Sequence, residues 1–413
     1  MTPERVILLA SSRSYRNQAF LAAAQRLGLE IVSGADVPLP LLPKVRHGLP
    51  LDYRDLERST AAIVRHAREA PIRAVLGVDD SGTLLAARAA AELGLPGNDP
   101  ESVACARDKR LMRRRLAAAG VPQPAFVELV LDDDPLPAAR TLGFPCVVKP
   151  TVLSGSRGVM RADDPEELRG RWRRLRGILA GERCADALVE AFVPGAEVAL
   201  EGLLDGGALH VLALFDKPDP LDGPFFEETI YVTPSRLAVG TQAAIAESTR
   251  AACAALGLRH GPVHAELRLN ERGPSVIEVA ARSIGGLCSK TLRFGATRAS
   301  LEELILRQAT GLPFGDALAR EAAAGGVMMI PIPGPGILRG VTGIEAARAV
   351  PLVEEIEITA PLQNRLVPLP EGDAYLGFVF ARGERPEAVE AALREAHALL
   401  RFEIVPDVPL QPA

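Results

Sequence analysis

The segment VHAELRLNERGPSVIEVAAR, residues 263–282, limits the fold more than any other. Val263, Ala265, Leu267 and Leu269 alternate with His264, Glu266 and Arg268, the period of a half-buried strand, and NERGPS reads as a hairpin turn. If the turn spans Asn270 to Pro274, Glu266 lies directly opposite Glu278. Two carboxylates at cross-strand distance, about 5 Å, repel unless something cationic sits between them. The chain must then either leave both in water on an edge or supply a cation, and oxygen ligands combined with phosphates are what magnesium prefers.

Around this hairpin, 413 residues imply about three lobes of roughly 100–150 residues each. The first hundred alternate short apolar runs (RVILLAS, AVLGVDD) with helix-length patterns (NQAFLAAAQRLG, GTLLAARAAAELG), the form of βαβ units with a parallel sheet. Between them PLPLLPKVRHGLPLDYRD carries prolines that forbid a helix and predicts a loop. From Asp108 a helix DKRLMRRRLAAAG runs to Gly120, and FPCVVKP reads as a strand. The helix PEELRGRWRRLRGILAG places Leu168, Trp172, Leu175 and Leu179 on one face, with its arginines solvated on the others. ALVEAFV, EVALEGLL, HVLALFD and the hairpin predict a mostly antiparallel sheet. A final lobe from Ala322 carries GGVMMIPIP, YLGFVFARG and the helix PEAVEAALREAHALL. The expected domains are 1–105, 106–190, 191–321 and 322–413.

A net charge of -5 gives no overall attraction to nucleic acid. Five scattered cysteines without a C-x-x-C pair argue against disulfides and zinc knuckles. No stretch reaches the ~18 apolar residues of a membrane span, and the N-terminus lacks a signal-peptide core, so a cytoplasmic protein is expected. Base rates favour a homodimer.

The familiar phosphate-binding patterns G-x-x-x-x-G-K-[ST] and G-x-G-x-x-G after the first strand are absent. Instead Lys149 ends a strand and is followed by Ser154, Gly155, Ser156, Arg157, Gly158 and Val159, a flexible turn whose backbone N–H groups could approach an anion, or else an ordinary hairpin. Glu190 and Glu197 flank the bend Ala191-Phe192-Val193-Pro194-Gly195, where exposed backbone could pair a purine edge and a carboxylate could accept ribose hydroxyls; two surface glutamates are the alternative. Arg282 precedes Ser283-Ile284-Gly285-Gly286, a guanidinium beside a loop able to close over a carboxylate or a transferring phosphoryl group. Cys288 has no adjacent base and reads as a packing residue. His260 and His264 lack the pattern of a zinc helix.

Taken in order, DKRLM, FPCVVKP, SGSRGV, the two glutamates around the bend and HAEL…IEVAARSIGG resemble the ATP-grasp superfamily, and the tail GGVMMIPIPGPGILRGV…YLGFVFARG resembles the branch of L-amino acid ligases and carnosine-synthase-like enzymes. The resemblance implies an ATP-grasp fold, α/β and α+β, with a Rossmann-like N-terminal domain and a C-terminal closing lobe. It also implies ATP with Mg2+, Mn2+ being able to substitute, and small-molecule carboxylate and amine substrates joined through an acyl phosphate. Lys109 and Lys149 would contact ATP phosphates and the Ser154–Val159 loop would cover them. Glu190 with the backbone of Ala191 to Val193 would meet the adenine, and Glu197 the ribose. Glu266 and Glu278 would hold metal, and Arg282 would steady the acyl phosphate. The chain has Glu278-Val279-Ala280-Ala281-Arg282 where many members carry an asparagine, and PFFEE supplies Glu227 and Glu228, Glu228 being the better match for a third metal ligand. The alternatives are an ATP-grasp enzyme of nucleotide or carboxylation metabolism and an inactive ATP-binding module.

Overall fold

The computed structural model describes residues 4–11, 14, 16–36, 48–182 and 184–407. The apolar runs near the N-terminus form a parallel sheet in the order Gly48–Pro50, Glu30–Ala35, Arg5–Leu9, Ala74–Gly77. Helices Asn17–Leu27 and Leu56–Glu69 connect its strands, and Asp80–Glu92 follows the last of them. Of the proline-rich stretch expected to be a loop, residues 38–47 lie outside the described residues. Gly48–Pro50 corrects the expectation: it adds an edge strand beside Glu30–Ala35, a place where a missing proline N–H breaks no interior ladder. The chain leaves the strands Arg5–Leu9 and Ala74–Gly77 at Ser11 and at Asp79-Asp80, at the carboxyl end of the sheet.

A second, antiparallel sheet runs Phe126–Val130, Asp186–Ala191, Cys146–Pro150, Met160–Ala162. Helix Pro165–Leu179 covers it, started by the Asp164 carboxylate accepting from the backbone N–H groups of Glu166 and Glu167. Leu168, Trp172, Leu175 and Leu179 are buried in that lobe's core.

The largest sheet has eight strands in the order Gly273–Ala280, Gly261–Asn270, Ala196–Asp205, Ala208–Asp216, Ile230–Thr233, Ala324–Ile330, Gly377–Gly383, Val353–Ile358. It is continuous across residue 321, because Ile230–Thr233 pairs directly with Ala324–Ile330. A three-stranded sheet, Arg365–Leu366, Gly336–Thr342, Arg401–Val405, and helix Pro386–Leu399 complete the C-terminal region. The hairpin turn is tighter than expected, with Asn270 paired to Gly273. A bulge at Ile277 takes up the difference and restores Glu266 to a position opposite Glu278. Val263, Ala265 and Leu267 are buried, which sends His264, Glu266 and Arg268 to the other face. Among the described residues no helix is long and apolar enough to cross a membrane.

Leu175 is fully buried beneath the second sheet. Leu175→Ala should therefore cost about 2–4 kcal/mol in chemical denaturation. Arg173→Ala, on the solvent face of the same helix, should stay within about 0.5 kcal/mol.

Candidate active site

The sheets and the C-terminal region enclose a cavity of about 790 Å³, toward the upper end of the roughly 300–1,000 Å³ range of small-molecule sites. Asp79 and Asp80 reach it from the N-terminal sheet, Lys149 from the second sheet, Glu266 and Glu278 from the hairpin, and Asn364 and Tyr375 from the C-terminal region.

At one end, Glu190 is buried between Arg113, whose Nε donates to it at 2.7 Å, and Lys149, whose Nζ lies 2.7 Å away. Arg113 also donates to the carbonyl of Ile277, tying this lobe to the hairpin bulge (2.7 Å). Burial would raise the Glu190 carboxyl, but Arg113 and Lys149 outweigh it and hold it below the usual range. Burial, helped by Arg113 and opposed by Glu190, lowers Lys149 to about 8.

At the other end, Lys217 is buried and its ammonium contacts three carboxylates: Glu197 at 2.8 Å, Glu228 at 2.5 Å and Glu266 at 2.9 Å. Burial opposes its charge, yet the three glutamates raise its pKa well above the ordinary lysine value. Burial pushes the Glu228 carboxyl up to about 7, with Lys217 opposing and the Glu266 charge adding. Tyr231 donates its hydroxyl to Glu228 at 2.6 Å. Arg268 donates to Glu197 at 3.0 Å and to the carbonyl of Val193 at 2.7 Å. One oxygen from each of Glu197, Glu228 and Glu266 falls within 4.8 Å of the others. Lys217 contacts all three carboxylates, Arg268 contacts Glu197, and His264 Nε2 lies 3.5 Å from Glu266; the all-oxygen donor set fits a hard divalent cation that would take the place of one of these partners. The expected metal set was Glu228, Glu266 and Glu278. The structure brings the first two together with Glu197, expected at the ribose, while Glu278 reaches Lys109 at 3.2 Å. Lys109 also donates to the carbonyl of Leu153, the residue before the glycine-rich loop (2.7 Å).

That loop turns through left-handed backbone at Gly155, Ser156 and Gly158. Ser154, Gly155, Ser156 and Val159 line the cavity, but Arg157 and Gly158 do not. Arg157 points away, to Glu182 at 2.8 Å and to the carbonyl of Glu371 at 2.9 Å, which corrects the expectation that the whole Ser154–Val159 loop faces the phosphates. Arg282 lines the cavity and donates to Asp80 at 2.8 Å. Burial opposes both charges, and the pair overrides it, lowering the pKa of Asp80 and raising that of Arg282. Buried Arg16 donates to Ser283 Oγ and, at 2.7 Å, to the carbonyl of Val78, joining the N-terminal sheet to the loop after Arg282. Cys288 lines the cavity with its Sγ 3.7 Å from Met329 Sδ, and burial raises the pKa of its thiol.

Sequence reasoning passed over Lys217, Arg113, Asp80 and Arg16. Lys217 and Asp80 carried a signal in retrospect: Lys217 directly follows the strand Ala208–Asp216, and Asp80 comes three residues after the end of Ala74–Gly77, at the strand-to-helix turn. Arg113 had none, being one of three consecutive arginines in the helix Lys109–Ala118.

This arrangement can be set beside known proteins. Residues 142–291 match the ATP-grasp domain family, residues 21–97 the ATP-grasp N-terminal domain, and residues 328–405 the L-amino acid ligase C-terminal domain 2. The chain belongs to the ATP-grasp superfamily and is an ATP-dependent, bond-forming enzyme. Within that superfamily it resembles the L-amino acid ligase and carnosine-synthase branch. Its fold is similar to the crystal structure of an L-amino acid ligase from Bacillus licheniformis, at 27% identity and a TM-score of 0.80, over 97% of this chain and 99% of that one. An uncharacterized protein of Sinorhizobium fredii, y4rH, is 25% identical over 408 residues, 97% of this chain and 83% of that protein. The alanine–anticapsin ligase of Bacillus subtilis is 29% identical over 219 residues, 48% of this chain and 46% of that enzyme. Solved phosphoribosylglycinamide synthetase, N5-carboxyaminoimidazole ribonucleotide synthetase and biotin carboxylase structures, at 13–16% identity, share the fold.

Because the folded protein lowers the pKa of Lys149 to about 8, it binds fewer protons than the unfolded chain between that pH and the ordinary lysine value of 10.5. Stability attributable to this group therefore rises with pH across that window. Denaturation of the wild type and of Lys149→Met from pH 7 to 10.5 should show the wild type gaining relative to the variant as pH rises.

Proposed function

We propose that this ATP-grasp enzyme is a carboxylate–amine ligase acting on amino acids or other small carboxylates. The observation that carries the reading is that the segment matching the L-amino acid ligase C-terminal domain, residues 328–405, includes cavity-lining residues from Met329 to Phe378, beside Arg282 and the hairpin glutamates. In this reading a carboxylate oxygen of the acid attacks the γ-phosphorus of ATP, the bond to the β-phosphate oxygen breaks, and ADP leaves. The amine nitrogen then attacks the acyl carbon, loses a proton and expels phosphate. Positioning and charge neutralisation suffice for such transfers, which suits a site of lysines, arginines and carboxylates.

ATP and Mg2+ are the cofactors. Glu266 and Glu228, with Glu278 on releasing Lys109, would hold the metal, which offsets phosphate charge; Mn2+ would serve in its place. Lys109 and Lys149 would meet the phosphates under the Ser154–Val159 loop, and the backbone of Ala191 to Val193 the adenine edge. Glu190 would act chiefly by holding Lys149, since Arg113 and Lys149 already engage its carboxylate. Glu197 would meet the ribose on releasing one of its two cations. Arg282 would exchange Asp80 for the acyl phosphate.

The second reading, carboxylation or nucleotide-pathway chemistry, is favoured by the names of the more distant structural neighbours and shares the acyl-phosphate step. One assay separates the two. ADP release should depend on an acid and an amine supplied together, hydroxylamine should replace the amine and yield a hydroxamate, and mass spectrometry should find an amide. ADP release that depends on bicarbonate, with a carboxylated product and no amide, would establish the second reading. Lys149→Ala should retain its fold, bind ATP at least about tenfold more weakly and lose turnover, a loss of one charge-assisted contact being worth about 1.5–3 kcal/mol. Unchanged ATP affinity by calorimetry would remove Lys149 from the site.

A further inference from the structure

The Ser154–Val159 loop does not hang free over the cavity. The backbone N–H of Gly158 donates to the carbonyl of Pro370 at 2.9 Å, and Arg157 Nε donates to that of Glu371 at the same distance. A side chain at Gly155 would begin 3.4 Å from Cβ of Asp373. Gly372 and Asp373, next along the chain, line the cavity. The loop of the second lobe is thus stitched to a segment more than two hundred residues away.

Besides Arg157, a second side chain outside the cavity joins these parts. Arg174, on the helix that covers the second sheet, makes a two-pronged contact with Glu371 at 2.6 and 2.8 Å. Its guanidinium also lies 5.0 Å from the centre of the Phe225 ring. Phe225 bridges to Met160, and Arg161 donates to the carbonyls of Asp222 and Pro224, so the stretch leading to Glu228 is fastened to the same lobe. Arg174 and Glu371 are each 40% exposed, and neither lines the cavity. Exposed pairs are individually weak, though parallel double contacts are the stronger kind. Such a pair can bias closure without making it permanent.

Resting on the reading that this loop covers the nucleotide phosphates, we propose that the Arg174–Glu371 pair is a surface latch. It holds the phosphate loop against the C-terminal segment, and its opening limits nucleotide exchange. A nucleotide under the loop can leave only when the bonds to Pro370 and Glu371 part, and the latch adds to the Arg157 bond a second side-chain contact that keeps them together.

Charge reversal tests this in the full-length protein with Mg2+, following displacement of a fluorescent ADP analogue by excess ATP in stopped flow. Arg174→Glu and Glu371→Arg should each speed release about three- to tenfold, and Glu371→Gln by less, in keeping with the strength of an exposed pair. The double reversal should return the rate to within about twofold of wild type, because it rebuilds the pair with opposite polarity. Added salt should speed release in the wild type more than in the single reversals. Wild-type release rates in the single reversals and in Glu371→Gln, or a double reversal no slower than either single, would overturn the latch. Failure of the wild type to bind the analogue at all would instead remove the nucleotide reading, and the latch with it.

Discussion

The structure depends on how buried carboxylates are neutralised. Glu197, Glu228 and Glu266 share one ammonium, Lys217, while Glu190 is shared by Arg113 and Lys149, and Glu278 takes Lys109. At Glu190, where both partners are buried as well, removing one of a pair leaves an uncompensated buried charge, which typically costs about 3–5 kcal/mol. The hairpin is where these demands meet. It places Glu266 and Glu278 side by side and lets each find a different lysine, one on the strand-end segment after Asp216 and one at the start of a helix. The cations thereby hold the lobes around the cavity in register, and the carboxylates remain available for exchange when phosphates or metal enter.

The cavity is assembled from parts of the chain that fold as separate layers. The N-terminal lobe contributes Asp80 to Arg282 and Arg16 to the loop after it, so the guanidinium proposed to steady the acyl phosphate is oriented by that lobe. The second sheet contributes Lys149 and the glycine-rich loop, and the C-terminal region closes the wall opposite. The second-sheet lobe has a core of its own and is joined to the rest by side-chain pairs and a few backbone bonds, so the site can be opened by moving that lobe. The N-terminal lobe, which shares a core with the large sheet, and the C-terminal region, which shares the sheet itself, should move with the hairpin.

Much of this was legible in the sequence where a short period or a fixed offset carries the signal. The strand alternation around Glu266, the helix with Leu168, Trp172, Leu175 and Leu179, and the parallel βαβ start all follow from spacing that local packing enforces. Three things were not legible. The bulge at Ile277 moves register by one residue and has no compositional mark. The direction of Arg157 is decided by Glu182 and Glu371, partners 25 and 214 residues away. The continuity of the large sheet across residue 321 rests on pairing between Ile230–Thr233 and Ala324–Ile330, strands separated by more than ninety residues, which no local pattern announces. Lys217 is an intermediate case: its place after a strand was visible, but its three carboxylate partners come from three other segments of the chain.

The account turns on activation of a carboxylate by phosphoryl transfer, and the most direct measurement follows an oxygen atom. With the acid substrate labelled with oxygen-18 in its carboxylate, each turnover should deliver one labelled oxygen to the phosphate released, because the acyl oxygen leaves with phosphorus when the amine attacks. Phosphate free of label, or label recovered in AMP, would contradict it.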